Sequence, residues 1–126
     1  MKKGKLATTA RYILGIAMAF FGLNGFFQFV PPPQLSQAGM DFMGAMINTG
    51  YLFQLTNLIF LAVAVLLLSN KYVPLALAML FPVMLNVVLF HLFLDFISGM
   101  GGFTVFLLNL YLIGVYADNF RPLLER

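Results

Sequence analysis

Of 126 residues, 62% are apolar and 9% charged, whereas a soluble domain is roughly 45–50% apolar and about 25% charged. A body this small cannot hide that much apolar surface in its own core, so the composition argues against a water-soluble monomer and for lipid as the solvent. A formal charge of only +3 and a complete lack of cysteine argue against a nucleic-acid binder and exclude disulfides, a thiolate nucleophile and cysteine-ligated metals.

The predicted fold class is an all-α integral membrane protein: one domain, 1–126, holding a four-transmembrane-helix bundle. Its spans fall at about 12–30, 51–69, 73–96 and 102–118, with a short interfacial helix at about 36–48 between helices one and two. Helix is the sensible assignment because unpaired backbone groups in hydrocarbon cost several kcal/mol each and the spans lack the alternation of a barrel strand.

Lys2, Lys3, Lys5 and Arg11 precede span one, whose apolar run of about 19 residues exceeds the h-region of a signal peptide and predicts a retained helix. Gly15, Ala19 and Gly22 share one face of it, with Arg11 at the end of that face. Such a strip allows a close helix approach, within the bundle or between protomers of a homo-oligomer. Pro31, Pro32 and Pro33 then end the helix. Leu35, Ala38, Phe42 and Met46 recur at helical spacing behind Ser36 as a candidate cap, which predicts an interfacial helix on the outer face.

Gly50 opens span two, and Ser69-Asn70-Lys71 separates spans two and three. Pro74 sits in the first turn of span three, and Pro82 predicts a kink at its middle. Gly99, Gly101 and Gly102 read as the turn before span four. All seven basic residues, Lys71, Arg121 and Arg126 included, fall on one side of these spans, while Asp41 and Asp95 fall on the other. The positive-inside rule therefore puts both termini in the cytoplasm.

The polar residues of the spans gather in the predicted outer half. Asn24 and Gln28 come late in span one; Gln54, Thr56 and Asn57 early in span two; Asn86, His91 and Asp95 late in span three; Thr104 and Asn109 early in span four. A polar pocket opening outward needs such a layer. Amides that merely bond to a neighbouring helix, contributing on the order of 0.6 kcal/mol each, would also produce one.

His91 and Asp95 stand about 40° apart on one helical face, a spacing that suits a carboxylate accepting from an imidazole in a proton relay or a headgroup site. Asn86 lies roughly 140° from His91, on the flank that carries Pro82 and Phe90. One His and two outer carboxylates supply no metal-ligand set, and the glycine run lacks the Lys-Ser/Thr of a phosphate loop.

Arg11-x-x-Leu14-Gly15-Ile16, Phe20-Phe21-Gly22, Phe26-Phe27, Gly50-Tyr51, Leu75-Ala76-Leu77 and above all Pro82-x-x-x-Asn86-x-x-x-Phe90-His91-Leu92-Phe93 resemble the DoxX-like family of small bacterial four-helix membrane proteins. The resemblance covers about residues 10–117. It implies an inner-membrane protein near quinone or sulfur redox chemistry, although the lack of cysteine leaves no thiol for such a role.

The expected function is a non-catalytic membrane subunit or a binder of a quinone or lipid. Its candidate ligand-binding residues are His91, Asp95, Asn86, Asn24, Gln28, Gln54, Asn57 and Asn109. The alternative is a quinone-linked oxidoreductase subunit relaying protons through His91 and Asp95, its redox cofactor supplied by a partner subunit. A small transporter or channel stands third.

Overall fold

The computed structural model describes residues 4–29, 35–96 and 99–124. Its regular elements are α1 (Lys5–Phe27), α2 (Gln37–Asn48), α3 (Leu52–Ser69), α4 (Val73–Phe93), α5 (Met100–Val115) and α6 (Ala117–Leu124). Pro31, Pro32 and Pro33, with Lys2, Lys3 and Arg126, lie outside the described residues. Helices α1, α3 and α4 are each long and apolar enough to cross a membrane. Helix α5 meets that standard only together with α6, from which it is bent by 78°.

The fourth span expected at 102–118 is therefore not one straight helix. Its chain turns at Tyr116 because Asp118, Asn119 and Arg121 follow, and polar residues are better solvated across the end of the bundle than within hydrocarbon. Phe120 and Tyr116 pack back against the core, while Arg121 and Asp118 form an exposed ion pair of 3.1 Å. Helix α2 falls where a short helix was expected between the first two spans, and the Ser36 hydroxyl caps it by accepting from the Gly39 amide at 3.1 Å.

Four helices close a ring: α1 packs on α3, α3 on α4, α4 on α5, and α5 on α1. Gly15 faces Leu67 and Leu68, whereas Gly22 and Gly25 face Asn57, so α1 and α3 run antiparallel. Asn109 reaches Leu77 and Gly102 faces His91, which makes α4 and α5 antiparallel as well. Lys5, Arg11, Lys71 and Arg121 thus lie toward one end of the bundle, and α2 with Asp41 and Asp95 at the other. Inside, Leu14, Met18, Leu67, Leu77, Leu80 and Leu112 are fully buried.

The small-residue strip of α1 is spent inside the chain. A methyl group added at Gly22 would stand 2.7 Å from Leu61 and 3.1 Å from the backbone oxygen of Asn57, and one at Gly15 would stand 2.8 Å from Leu68. Gly15 and Gly22 are buried and Ala19 packs against the core, so this face is closed to a second copy, contrary to one of the two uses expected of it. Gly25, outside the expected strip, is the tightest point, for any side chain there would overlap the Asn57 amide.

At the basic end Arg11 belongs to α1 itself and is buried, although span one was expected to start after it. Its Nη1 donates to the Leu67 carbonyl in the last turn of α3, and the guanidinium lies 4.4 Å from the Tyr12 ring centroid. A cation suits a helix C-terminus because the last carbonyls there carry partial negative charge. Asn70, at φ 57°, ends α3 in the left-handed conformation, and the Lys71 amide closes back on the Leu66 carbonyl at 3.1 Å. Helix α4 opens with Pro74 in its first turn and continues as one helix through Pro82.

Candidate functional site

The acidic end holds the densest polar and aromatic cluster among the described residues, assembled from α2, α4 and the start of α5. Helix α4 closes at Phe93, three residues before the expected end of span three, and the Leu94 and Asp95 amides both return to the Phe90 carbonyl, at 2.8 and 3.3 Å. That turn aims the buried Asp95 carboxylate at α2, where Oδ2 accepts from the Ser36 amide at 2.9 Å. An anion at a helix N-terminus meets unsatisfied N–H groups and the positive end of the dipole. The Ser36 hydroxyl also donates to the Leu94 carbonyl, so a clasp of two hydrogen bonds, centred on the residue that caps α2, ties α2 to the end of α4.

His91 stands one turn before the clasp, half-buried. Its Nδ1 lies 3.1 Å from the backbone oxygen of Asp95, the geometry of a ring N–H donating to that carbonyl. Phe90 and Phe103 meet the imidazole edge to face, at centroid separations of 5.1 and 6.0 Å. Phe96 packs on Phe103 at 5.7 Å and Phe42 of α2 on Phe90 at 5.3 Å, extending the cluster across three helices.

The glycines expected to form a turn are the reason the ring fits. Gly99 caps α5 and Gly101 and Gly102 lie within its first turn. A methyl group at Gly99 would stand 2.9 Å from the His91 Cβ, and one at Gly102 would stand 3.1 Å from its Cδ2. The run is helical because bare backbone is what lets α5 start against an imidazole.

The eight candidate residues do not converge on one pocket. Asn86, Gln54 and Gln28 are exposed on the outside of the bundle, and Gln28 ends α1 in the left-handed conformation at φ 53°. Asn24 is partly buried near the end of α1. Asn57 is buried, but its Nδ2 donates to the Phe53 carbonyl of its own helix at 3.0 Å while the amide lies on Gly25. Thr56 and Thr104 likewise bond the carbonyls four residues back. His91 and Asp95 share a cluster.

Asn109 overturns the one-sided distribution of polarity. It is fully buried on the level of Leu77, four residues into α4, so it belongs to the half that carries Arg11. Helix α5 starts at Met100, before the expected 102, and bends off at Tyr116, which shifts Asn109 past the middle of the span. Its Nδ2 donates to the Leu77 carbonyl over a long 3.4 Å, and its Oδ1 is buried without a partner among the described residues. An orphaned buried acceptor costs about 1–3 kcal/mol, more than one long amide bond returns. Asn109→Leu is therefore expected to stabilise the protein by about 1 kcal/mol, read as a rise in the midpoint of an SDS titration followed by circular dichroism.

No family model matches the chain, and neither a curated protein nor a solved structure matches it.

Proposed function

We propose that the chain is a DoxX-like four-span protein of the bacterial inner membrane, both termini cytoplasmic, that acts as a non-catalytic subunit binding a hydrophobic small molecule, a quinone or a lipid, beside His91. The observation that carries this reading is the aromatic cluster in which the imidazole is set, with Phe90 and Phe103 edge to face against it and Phe42 and Phe96 behind them. Such a cluster offers apolar faces to a planar ring or acyl chain and a hydrogen-bonding tip to its polar end. The gathering of Lys5, Arg11, Lys71 and Arg121 toward the opposite end supports the orientation, since cytoplasmic ends of membrane helices are enriched in basic residues. Tyr12, Tyr72 and Tyr116 accompany them, as expected near a headgroup layer.

A proton relay through His91 and Asp95 has less support. The Asp95 carboxylate is buried on the Ser36 amide, where it holds α2.

Mass spectrometry of molecules retained by the mildly extracted protein tests the proposal. The wild-type chain should carry a stoichiometric quinone or lipid, and His91→Ala and Phe103→Leu should each lower its retention about tenfold, the equivalent of about 1.4 kcal/mol. A wild-type protein that retains neither, or variants that retain as much as wild type, would defeat it.

A further inference from the structure

We infer that the outward face of α4 is an interface between two copies of this chain, registered by Asn86. The inference rests on the bundle lying in a membrane and is independent of any ligand at His91. Leu75, Ala78, Pro82, Leu85, Leu89 and Leu92 are all exposed and form an apolar outward surface on α4, as the outward residues of the other helices also do; what sets α4 apart is a polar residue near its middle. Asn86 interrupts this apolar face. It is exposed, and among the described residues it makes no hydrogen bond. It lies thirteen residues beyond Val73 and seven before Phe93, or about 5 Å past the midpoint of α4 at about 1.5 Å per residue.

That depth is hydrocarbon, where neither water nor a headgroup reaches the amide. A second polar group shares the face. Pro82 has no N–H to pair with the carbonyl of Ala78, one turn earlier, and both residues are exposed. The face therefore presents an amide with both donor and acceptor, and a freed carbonyl that needs a donor.

A second copy meets these needs by symmetry. Chains inserted in the same direction are related by a two-fold axis along the membrane normal, which brings Asn86 to its own twin at the same depth. Each amide can then donate to and accept from the other, whereas an acyl chain can do neither and a different helix would need its own polar group at that level. Ala78 and Pro82 carry no long side chain, so the backbones can approach closely below that point. The alternative strip on α1 is already occupied by α3.

The absence of native cysteine makes crosslinking of the full-length protein free of background. Leu85→Cys and Leu89→Cys, oxidised in native membranes, should each give a disulfide-linked band of twice the monomer mass. Val65→Cys, on α3 and more exposed than either, should give little. Adding Asn86→Leu should reduce the linked fraction about three- to tenfold, and Asn86→Gln should largely preserve it. Monomer at every position, equal linking through Val65→Cys, adducts of another mass, or linking indifferent to Asn86→Leu would each overturn the inference. Unchanged helicity of Asn86→Leu by circular dichroism separates a lost interface from a lost fold.

Discussion

Gly22→Leu is expected to destabilise the protein by about 3 kcal/mol or more, the largest effect of any single substitution considered. Overpacking a filled core typically costs 1–3 kcal/mol because side chains leave their rotamers and the backbone shifts. At Gly22 the first added carbon already meets Leu61 at 2.7 Å and a backbone oxygen of α3 at 3.1 Å. Leu61 can rotate, but the Asn57 backbone cannot move without pulling its helix from α1. A longer side chain must therefore pry apart the most extensive helix contact in the bundle. The lowered midpoint should be visible in an SDS titration followed at 222 nm. Gly114→Ala is the control: a methyl group there, in the last turn of α5, meets nothing within 4 Å and should leave the midpoint nearly unchanged. Equal midpoints for Gly22→Leu and wild type would show that α1 and α3 do not depend on this contact.

Arg11→Met should lower stability by about 2 kcal/mol, in the range for hydrogen bonds to charged groups. Replacing a buried charge by an apolar side chain is often neutral when the charge has an ionic partner and both are removed. Arg11 differs, because its acceptor is a main-chain carbonyl that remains after the substitution. Leu67 would keep only the Asn70 amide, at 3.4 Å, in the last turn of a helix where the carbonyls already lack partners. Arg11→Lys retains the charge but loses the planar fork and its stacking on Tyr12, so it should recover part of the loss. Full recovery by lysine would assign the effect to charge alone, and no loss in the methionine variant would refute the role assigned to the Leu67 carbonyl.

Much of the architecture was legible because membrane helices are written in long apolar runs. The positions of α1, α2, α3 and α4 agree with the expected ones to within a few residues, apart from the early start of α1, and Ser36 was recognised as a cap from its residue type and place. Position along a helix was harder to read than helix identity. Asn109 was assigned to the outer half because the start and end of its span were uncertain by a few residues, and each residue moves a side chain about 1.5 Å in depth. Facing was harder still. Asn57 and Asn86 are both amides in apolar helices, yet one is pressed on Gly25 and the other points away from the bundle.

The functions of the glycines were hidden for a related reason. Gly99 and Gly102 resemble turn residues until His91 is placed against them, and Asp95 pairs with an amide 59 residues away in the chain. Local pattern carries period and propensity, but a clasp between α2 and α4 depends on how four helices close into a ring.

The lengths of the helices also bear on the surrounding lipid. Helix α1 has 23 residues, but Lys5, Thr8, Thr9 and Arg11 occupy its first two turns, so its uncharged stretch from Tyr12 to Phe27 is no longer than the 16 residues of α5, about 24 Å at about 1.5 Å per residue. A hydrocarbon layer of about 30 Å is thicker than either. In such a layer the acyl chains beside α1 and α5 would compress or splay, at a fraction of a kcal/mol for each ångström of mismatch. That flank of the ring would therefore favour thin or fluid regions of membrane.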